Sequence, residues 1–354
     1  MADRTIGFGV VGLGMGRQHC KALSTARGAR LVAVCDSDPE RLNPVAQTYG
    51  VKAYTDYAEM LRDPEIEGVC VATPSGMHAD MAMVAAAAGK HLLIEKPVDI
   101  DLERIRRLIA TVRQHGVKAA VVFQTRTIPV FKRLKALVDS GRLGTLIGVH
   151  AILPWYRADS YFQGVHGSWR GTWAMDGGGS LMNQGVHTVD LIQWMAGPVS
   201  AVSGRFGVYA HDIETEDKAV AILRFANGAL GTLTTTTAAY PGSDRIFLIH
   251  GTRGTVQIND HLVSWKLVDD KDGAEEREMV AFYGPPAARA EAVTVASDPL
   301  AVGATGHVFH VEDLAEAIRD NREPYTAIET AVHAVEIILA VYESGRSGRE
   351  VILS

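Results

Sequence analysis

IGFGVVGLGMGRQH, residues 6–19, decides how the rest of the chain is read. An unbroken apolar run leads into glycines at 12, 14 and 16, and these open a helical pattern, GRQHCKALSTARG. A glycine-rich turn between a strand and a helix is the context a dinucleotide-binding loop requires. Gly12 permits the tight turn, Gly14 lets the backbone approach a pyrophosphate, and the free amides at the helix N-terminus meet its charge. The usual spacing places a third small residue at position 17; here that residue is Arg17, and Gly16 comes one position early. Taken alone, such a loop is also compatible with a plain tight turn. Gly12, Leu13, Gly14, Met15 and Gly16 are the expected cofactor-facing residues. Asp36 ends the second apolar run, where a carboxylate can accept both ribose hydroxyls and repel a 2′-phosphate. That favours NAD; NADP stays open because Ser37 and Arg41 are close by, and capping of the turn before Asp38-Pro39 is the other reading of Asp36.

Outward from this loop, short apolar runs alternate with helical patterns: ARLVAVCD, GVCVATP, HLLIEKP and KAAVVFQ. Runs that do not alternate strictly suit parallel strands covered on both faces, which predicts a doubly wound α/β Rossmann domain over 1–126. After the helix TIPVFKRLKALVDSGRLG the pattern changes. DKAVAILRFANGALGTLTTTT turns at Asn227-Gly228 and DRIFLIHGTRGTVQIND turns around Gly251–Gly254, both hairpin signals. These predict a second, α+β domain over 127–354 with an open, largely antiparallel sheet. GTLTTTT would place threonines on both faces of that sheet, either as solvent-facing β-formers or as part of a subunit interface.

The bulk numbers narrow the function. With 354 residues and 47% hydrophobic content the chain can bury a sizeable core. A net charge of −6 and scattered Lys and Arg give no footprint for nucleic acid. Cys20, Cys35 and Cys70 read as reduced, buried thiols. MADRTIGFGVVG enters a strand at once, with no signal-peptide pattern, and no apolar run reaches spanning length, so a cytoplasmic protein without membrane contact is expected.

Three further stretches carry chemistry. IEKP (94–97) puts Glu95, Lys96 and Pro97 at the carboxyl end of a strand, the edge where open α/β sheets bind ligands; the X-Pro bond there is a candidate for the cis isomer. Desolvation would lower the lysine pKa toward useful proton transfer, while a salt-bridged surface lysine is the plainer reading. GGGSLMNQGVHTVDLIQWM (177–195) reads as a buried helix with Asn183, His187, Asp190 and Trp194 on one stripe and Met182, Val186, Val189 and Ile192 elsewhere. WYRADSYFQGVHGSWRGTWAMD (155–176) is loop-like, with aromatic faces suited to a sugar ring and arginines suited to hydroxyls, a carboxylate or a phosphate. Tyr156, Arg157, Trp169 and Arg170 are the expected contacts. His307 and His310 stand three apart on a helical pattern without a companion carboxylate or cysteine cluster, so they read as structural and no metal site is expected.

VGLGMGRQH, ATPSGMH (72–78), IEKP and GGGSLMNQGVHTVDL together resemble the Gfo/Idh/MocA oxidoreductases, over nearly the whole chain. The resemblance implies NAD(P)-dependent oxidation or reduction of sugars, polyols or related compounds, without a metal. It implies that Lys96 and His187 face each other across the substrate beside the nicotinamide. It places Thr73, Pro74 and His78 along the cofactor, with Glu95 and Gln124 near the nicotinamide end. Many members carry Asp four residues before the histidine; Asn183 stands there instead, and an amide positions but does not exchange a proton. Asp190 is then free to hold His187 or a backbone group, and Trp194 reads as core. The expected assembly is a homodimer or homotetramer through the open sheet face. A dinucleotide sensor without catalysis, and a reductase of non-sugar ketones or imines, are the competing functions.

Overall fold

The computed structural model describes residues 4–164, 167–285 and 305–353. Its described elements begin with β1 (Ile6–Val11), α1 (Gly16–Leu23), β2 (Ala29–Cys35), α2 (Pro39–Tyr49), β3 (Lys52–Tyr54) and α3 (Tyr57–Leu61). Next come β4 (Gly68–Val71), α4 (His78–Ala87), β5 (His91–Ile94), α5 (Leu102–His115), β6 (Ala119–Val121) and α6 (Pro129–Asp139). Then follow β7 (Leu146–Pro154), α7 (Val186–Ala196), β8 (Val199–Gly207), β9 (Lys218–Phe225), β10 (Leu230–Thr236) and β11 (Ile246–Gly251). The chain continues with β12 (Gly254–Asn259), β13 (His261–Leu267), α8 (Ala274–Tyr283), α9 (Thr305–Asp320), α10 (Val332–Ser347) and β14 (Val351–Ile352).

Two compact units emerge. The first takes Met1–Gln124, Ala174–Gly177 and Gly303–Val332. Its six strands are parallel in the order β3-β2-β1-β4-β5-β6, the doubly wound arrangement expected from the apolar runs. Every residue of β1 and β4 is buried, as strands covered on both faces must be. Asp38 caps α2, whose first residue is Pro39, and Asp101 caps α5. β3 and α3 escaped the sequence reading because they are three and five residues long.

The sequence reading has a single change of domain near residue 126, whereas in the structure the chain returns to the first unit over 303–332. The reason is apolar: Val311, Leu314 and Ala315 of α9 complete the core cluster that holds Leu13, Cys20 and Leu23. Beyond α9 the chain also covers the β6 edge, where Val121 N–H donates to Thr326 O at 3.0 Å.

The second unit takes Thr125–Trp173, Gly178–Val302 and His333–Ser354. Its eight strands run β13-β12-β11-β7-β10-β9-β8-β14, antiparallel except for the β10–β7 pair. Both expected hairpins form, with Gly228 at φ +88° in the first turn. Along β9, exposed and buried residues alternate strictly, as a sheet with one covered and one open face requires. The threonines of β10 do line both faces: Thr235 is buried, Thr232 exposed. The three cysteines are free and buried, and burial pushes the thiols of Cys20 and Cys35 up to about 12. Among the described residues no helix is long and apolar enough to cross a membrane.

Candidate active site

The first unit builds a dinucleotide cradle from its central strands. Gly12, at φ +84°, turns the chain out of β1, and a Cβ there would lie 2.6 Å from Ala72 O. A Cβ on Gly16 would sit 2.9 Å from Val10 Cγ1. The early glycine thus serves the close strand–helix packing for which the usual loop keeps its third small residue. Helix α1 starts at Met15–Gly16 with no capping side chain and no acidic residue in its first turn, so its amides suit an anion. Asp36 is buried at the end of β2; its Oδ2 accepts from Leu13 N–H at 2.8 Å and its Oδ1 from Asp38 N–H at 3.0 Å. The turn-capping bond and the loop bond coexist, and a carboxylate keeps further acceptor capacity for ribose hydroxyls. Arg41 Nη1 lies 4.0 Å from Asp36. Thr73, beyond β4, has a buried hydroxyl with no hydrogen-bond partner among the described residues, a polar atom suited to a bound ligand. These features fit NAD.

At the carboxyl end of β5, Glu95 is buried and Lys96 half-buried, and the Lys96–Pro97 peptide is cis. Lys96 N–H donates to Glu95 Oε2 at 3.2 Å. His78 sits with one ring nitrogen 2.8 Å from Thr73 O and the other 2.7 Å from Pro97 O. It staples the two loops expected to line the cofactor and is only 1% exposed. Gln124 closes β6, with Gly306 of α9 against its side chain. His307 does have a carboxylate companion, which the sequence reading lacked: its Nε2 is 3.1 Å from Glu95 Oε1, and His19 Nε2 is 2.8 Å from the same oxygen. His310 instead meets Thr326 Oγ1 at 3.2 Å.

In the second unit the expected helix over 177–196 is two structures, a π-helical segment Ser180–Gly185 followed by α7. Such segments recur at functional sites. The glycines permit it by close approach, since a Cβ on Gly178 would meet Tyr342 Oη at 2.0 Å and one on Gly179 would meet Glu216 O at 1.9 Å. Buried Glu216 accepts from Gly179 N–H at 2.9 Å, Leu181 N–H at 2.7 Å and Tyr342 Oη at 3.0 Å. Burial raises its carboxyl pKa, and these bonds oppose the rise.

Asn183 and His187 lie on this buried segment. Asn183 Oδ1 accepts from Gln184 Nε2 at 2.8 Å and from Tyr161 Oη at 3.4 Å. Gln184 is oriented by Arg157, whose Nη2 donates to Gln184 Oε1 at 2.9 Å. Arg157 is 1% exposed, set over the Trp155 and Tyr161 rings. Arg170 lies 4.5 Å over Tyr161 and 5.0 Å over Trp169. Tyr156 packs edge-to-face on Tyr240. Val165 and His166 of this loop lie outside the described residues.

Asp190 takes a different partner from those expected. Arg126 Nε and Nη2 hold it in a buried two-pronged pair at 2.7 and 2.5 Å, and Gln193 Nε2 adds a bond at 3.2 Å. Trp194 is half-buried rather than core, with Arg126 and Lys135 over its ring. Sequence reasoning did not single out Tyr161, Gln184, Glu216 or Arg126. Only the first two carried a signal, as polar neighbours of residues already chosen.

Residues 6–123 match the oxidoreductase family described by its NAD-binding Rossmann fold, and residues 131–257 match the GFO/IDH/MocA C-terminal domain. Inositol 2-dehydrogenase of Rhizobium meliloti is 30% identical over 71% of this chain and 75% of its own length. scyllo-Inositol 2-dehydrogenase (NAD(+)) of Bacillus subtilis is 26% identical over 97% and 94%. The structure of the WlbA dehydrogenase from Bordetella pertussis, in complex with NADH and UDP-GlcNAcA, superposes with a TM-score of 0.86 at 29% identity over 99% of each chain. The chain belongs to the Gfo/Idh/MocA oxidoreductase family.

Proposed function

We propose that Lys96 and His187 act together on one alcohol oxygen of the substrate. The protein is an NAD-dependent dehydrogenase acting on the CH–OH group of a sugar, polyol or sugar derivative. The observation that carries the assignment is Lys96 itself, held by its own backbone bond to Glu95 at the carboxyl end of β5, in the sheet that bears the dinucleotide loop.

Bound NAD supplies the hydride acceptor. The chain's own groups handle the proton. As hydride leaves the carbinol carbon, the O–H bond breaks, its proton goes to the His187 imidazole, and its electrons form the carbonyl. Lys96 Nζ stabilises the negative charge developing on oxygen. Asn183 orients the substrate from its amide, with Gln184, Tyr161 and Arg157 setting the amide's direction. Tyr156, Trp169 and Arg170 line the substrate side. Gly12 to Gly16, Asp36, Thr73, Pro74, His78, Glu95 and Gln124 serve the cofactor, with Asp36 favouring NAD over NADP.

The open face of the second sheet is assigned to a homodimer or homotetramer interface. Its support is the row of apolar side chains on outward-facing positions of β7, β9 and β10: Ile152, Val220, Ile222 and Leu230. Free thiols and the NAD requirement support a cytoplasmic setting.

The test is turnover with NAD on inositols, levoglucosan, uronates and nucleotide sugars, and with NADH on apolar ketones and imines as the competing class. Lys96→Met and His187→Gln should each lower kcat by about 10²–10⁴-fold with NAD affinity within about threefold. Full turnover in either variant removes that residue from the chemistry, and NAD binding without turnover of any compound would favour a sensor.

A further inference from the structure

Beneath the Lys96 turn lies a buried cluster whose two imidazoles have no role in the proposed reaction. His19 of α1, Glu95 and His307 of α9 come from three distant segments of the first unit, with side chains 0%, 6% and 1% exposed. Both imidazole Nε2 atoms meet the same carboxylate oxygen, at 2.8 and 3.1 Å, and the rings stand edge to face with centroids 4.9 Å apart. The other carboxylate oxygen accepts the Lys96 amide.

Two hydrogen bonds onto one oxygen require a proton on each Nε2. Burial lowers the pKa of His19 and so favours its neutral form. Burial opposes the Glu95 charge as well, yet the bonds from His19 and His307 hold its carboxyl well below the usual range. The arrangement is one carboxylate served by two imidazoles and one amide.

The same ligand atoms lie within 4.8 Å of one another, close enough to hold a cation. In that state each imidazole would carry its proton on Nδ1 and need an acceptor there. His19 Nδ1 and His307 Nδ1 are buried and have no hydrogen-bond partner among the described residues. Protons on Nε2 leave two unpaired acceptors; a metal would leave two unpaired buried N–H donors, the costlier outcome.

We propose that His19 and His307 are positioning residues: two neutral imidazoles, each donating from Nε2, lock the Glu95 carboxylate so that its second oxygen fixes the backbone of Lys96. The functional meaning rests on the assignment of Lys96 to the reacting oxygen. His19 lies on the helix that begins at the dinucleotide loop, so the loop and the lysine share one buried anchor.

The experiment uses the full chain. With ¹⁵N-labelled histidine, NMR should show, among the neutral imidazoles protonated at Nε2, one signal lost in His19→Leu and another lost in His307→Leu. In parallel, acetylation of Lys96 by acetic anhydride is followed by peptide mass spectrometry relative to the other lysines, with NAD affinity measured alongside. The leucine variants should change the relative rate at Lys96 by about threefold or more, and His19→Gln and His307→Gln, which keep a donor, should stay within about twofold. Unchanged Lys96 reactivity in the leucine variants, Nδ1 or doubly protonated rings, or one zinc per dialysed chain lost in those variants would each overturn the proposal. If a leucine variant does not fold, the wild-type tautomers decide. Full turnover by Lys96→Met would end the mechanistic assignment while leaving the tautomer and reactivity results standing.

Discussion

Gly12 and Asp190 show how single positions constrain the molecule. At Gly12 the left-handed φ and the nearby Ala72 carbonyl both reject a side chain. Gly12→Ala should therefore destabilise the first unit by about 1–3 kcal/mol and weaken NAD binding roughly tenfold or more, read by thermal melting and calorimetric titration. Asp190 is fully buried against Arg126, so removing only the cation leaves an uncompensated charge; Arg126→Met should cost about 3–5 kcal/mol. Burial already raises the Asp190 pKa, with Arg126 opposing, and the variant loses the opposition. An acid whose folded pKa is raised favours the folded state below that pKa and loses the advantage as pH rises through it. The deficit of Arg126→Met should therefore shrink on acidification, so urea unfolding at about pH 5 should show a smaller difference from wild type than at about pH 8. An equal deficit at both would mean that Asp190 keeps its proton throughout.

At the scale of elements, the decisive one is the π segment before α7. Its buried anchor is Glu216, and Glu216→Gln turns one acceptor oxygen into an NH₂ that must face a backbone N–H. The variant should lose about 1–3 kcal/mol of stability. It should lower kcat more than it alters NAD affinity, because the segment carries Asn183 and His187 whereas the dinucleotide loop belongs to the other unit; steady-state kinetics with NAD titration checks the split. The sequence showed polar residues recurring here at helical spacing; in the structure Asn183, His187 and Asp190 are buried along with the whole run 176–192, while Trp194 is half-buried. The sequence could not show the change of helical pitch between Asn183 and His187, because π geometry is imposed by Glu216 and Tyr342, far away in the chain. For the same reason the Arg126 partner of Asp190 stayed hidden, whereas the hairpins and parallel strands, written in local turn residues and apolar periodicity, were legible. β3 was not, since three residues, two exposed and one half-buried, carry no period.

For the whole molecule, the legible part was the succession of sheets, and the hidden part was the chain's return. Nothing local in GHVFHVEDLAEAIRDNREP says that its apolar stripe completes the core beneath Leu13 and Cys20, or that His307 ends beside Glu95. The same limit applies to assembly: alternation along β9 shows that one face of the second sheet is open, and only the register shows what that face presents. Across it Ile152 lies opposite Ile246 and Thr234, and Thr234 opposite Val220; Ile222 lies opposite Thr232, and Thr232 opposite His150. Ile222 and Leu230 are 58% and 56% exposed in the single chain, a large apolar area to leave in water. Because a two-fold interface repeats each contact, one charge placed there is met twice. Ile222→Glu with Val220→Glu should therefore convert the proposed assembly to monomers in light scattering at micromolar concentration, with far-UV circular dichroism unchanged since both side chains point away from the core. An assembly that survives both substitutions would place the interface on another surface and leave this face as solvent-exposed sheet.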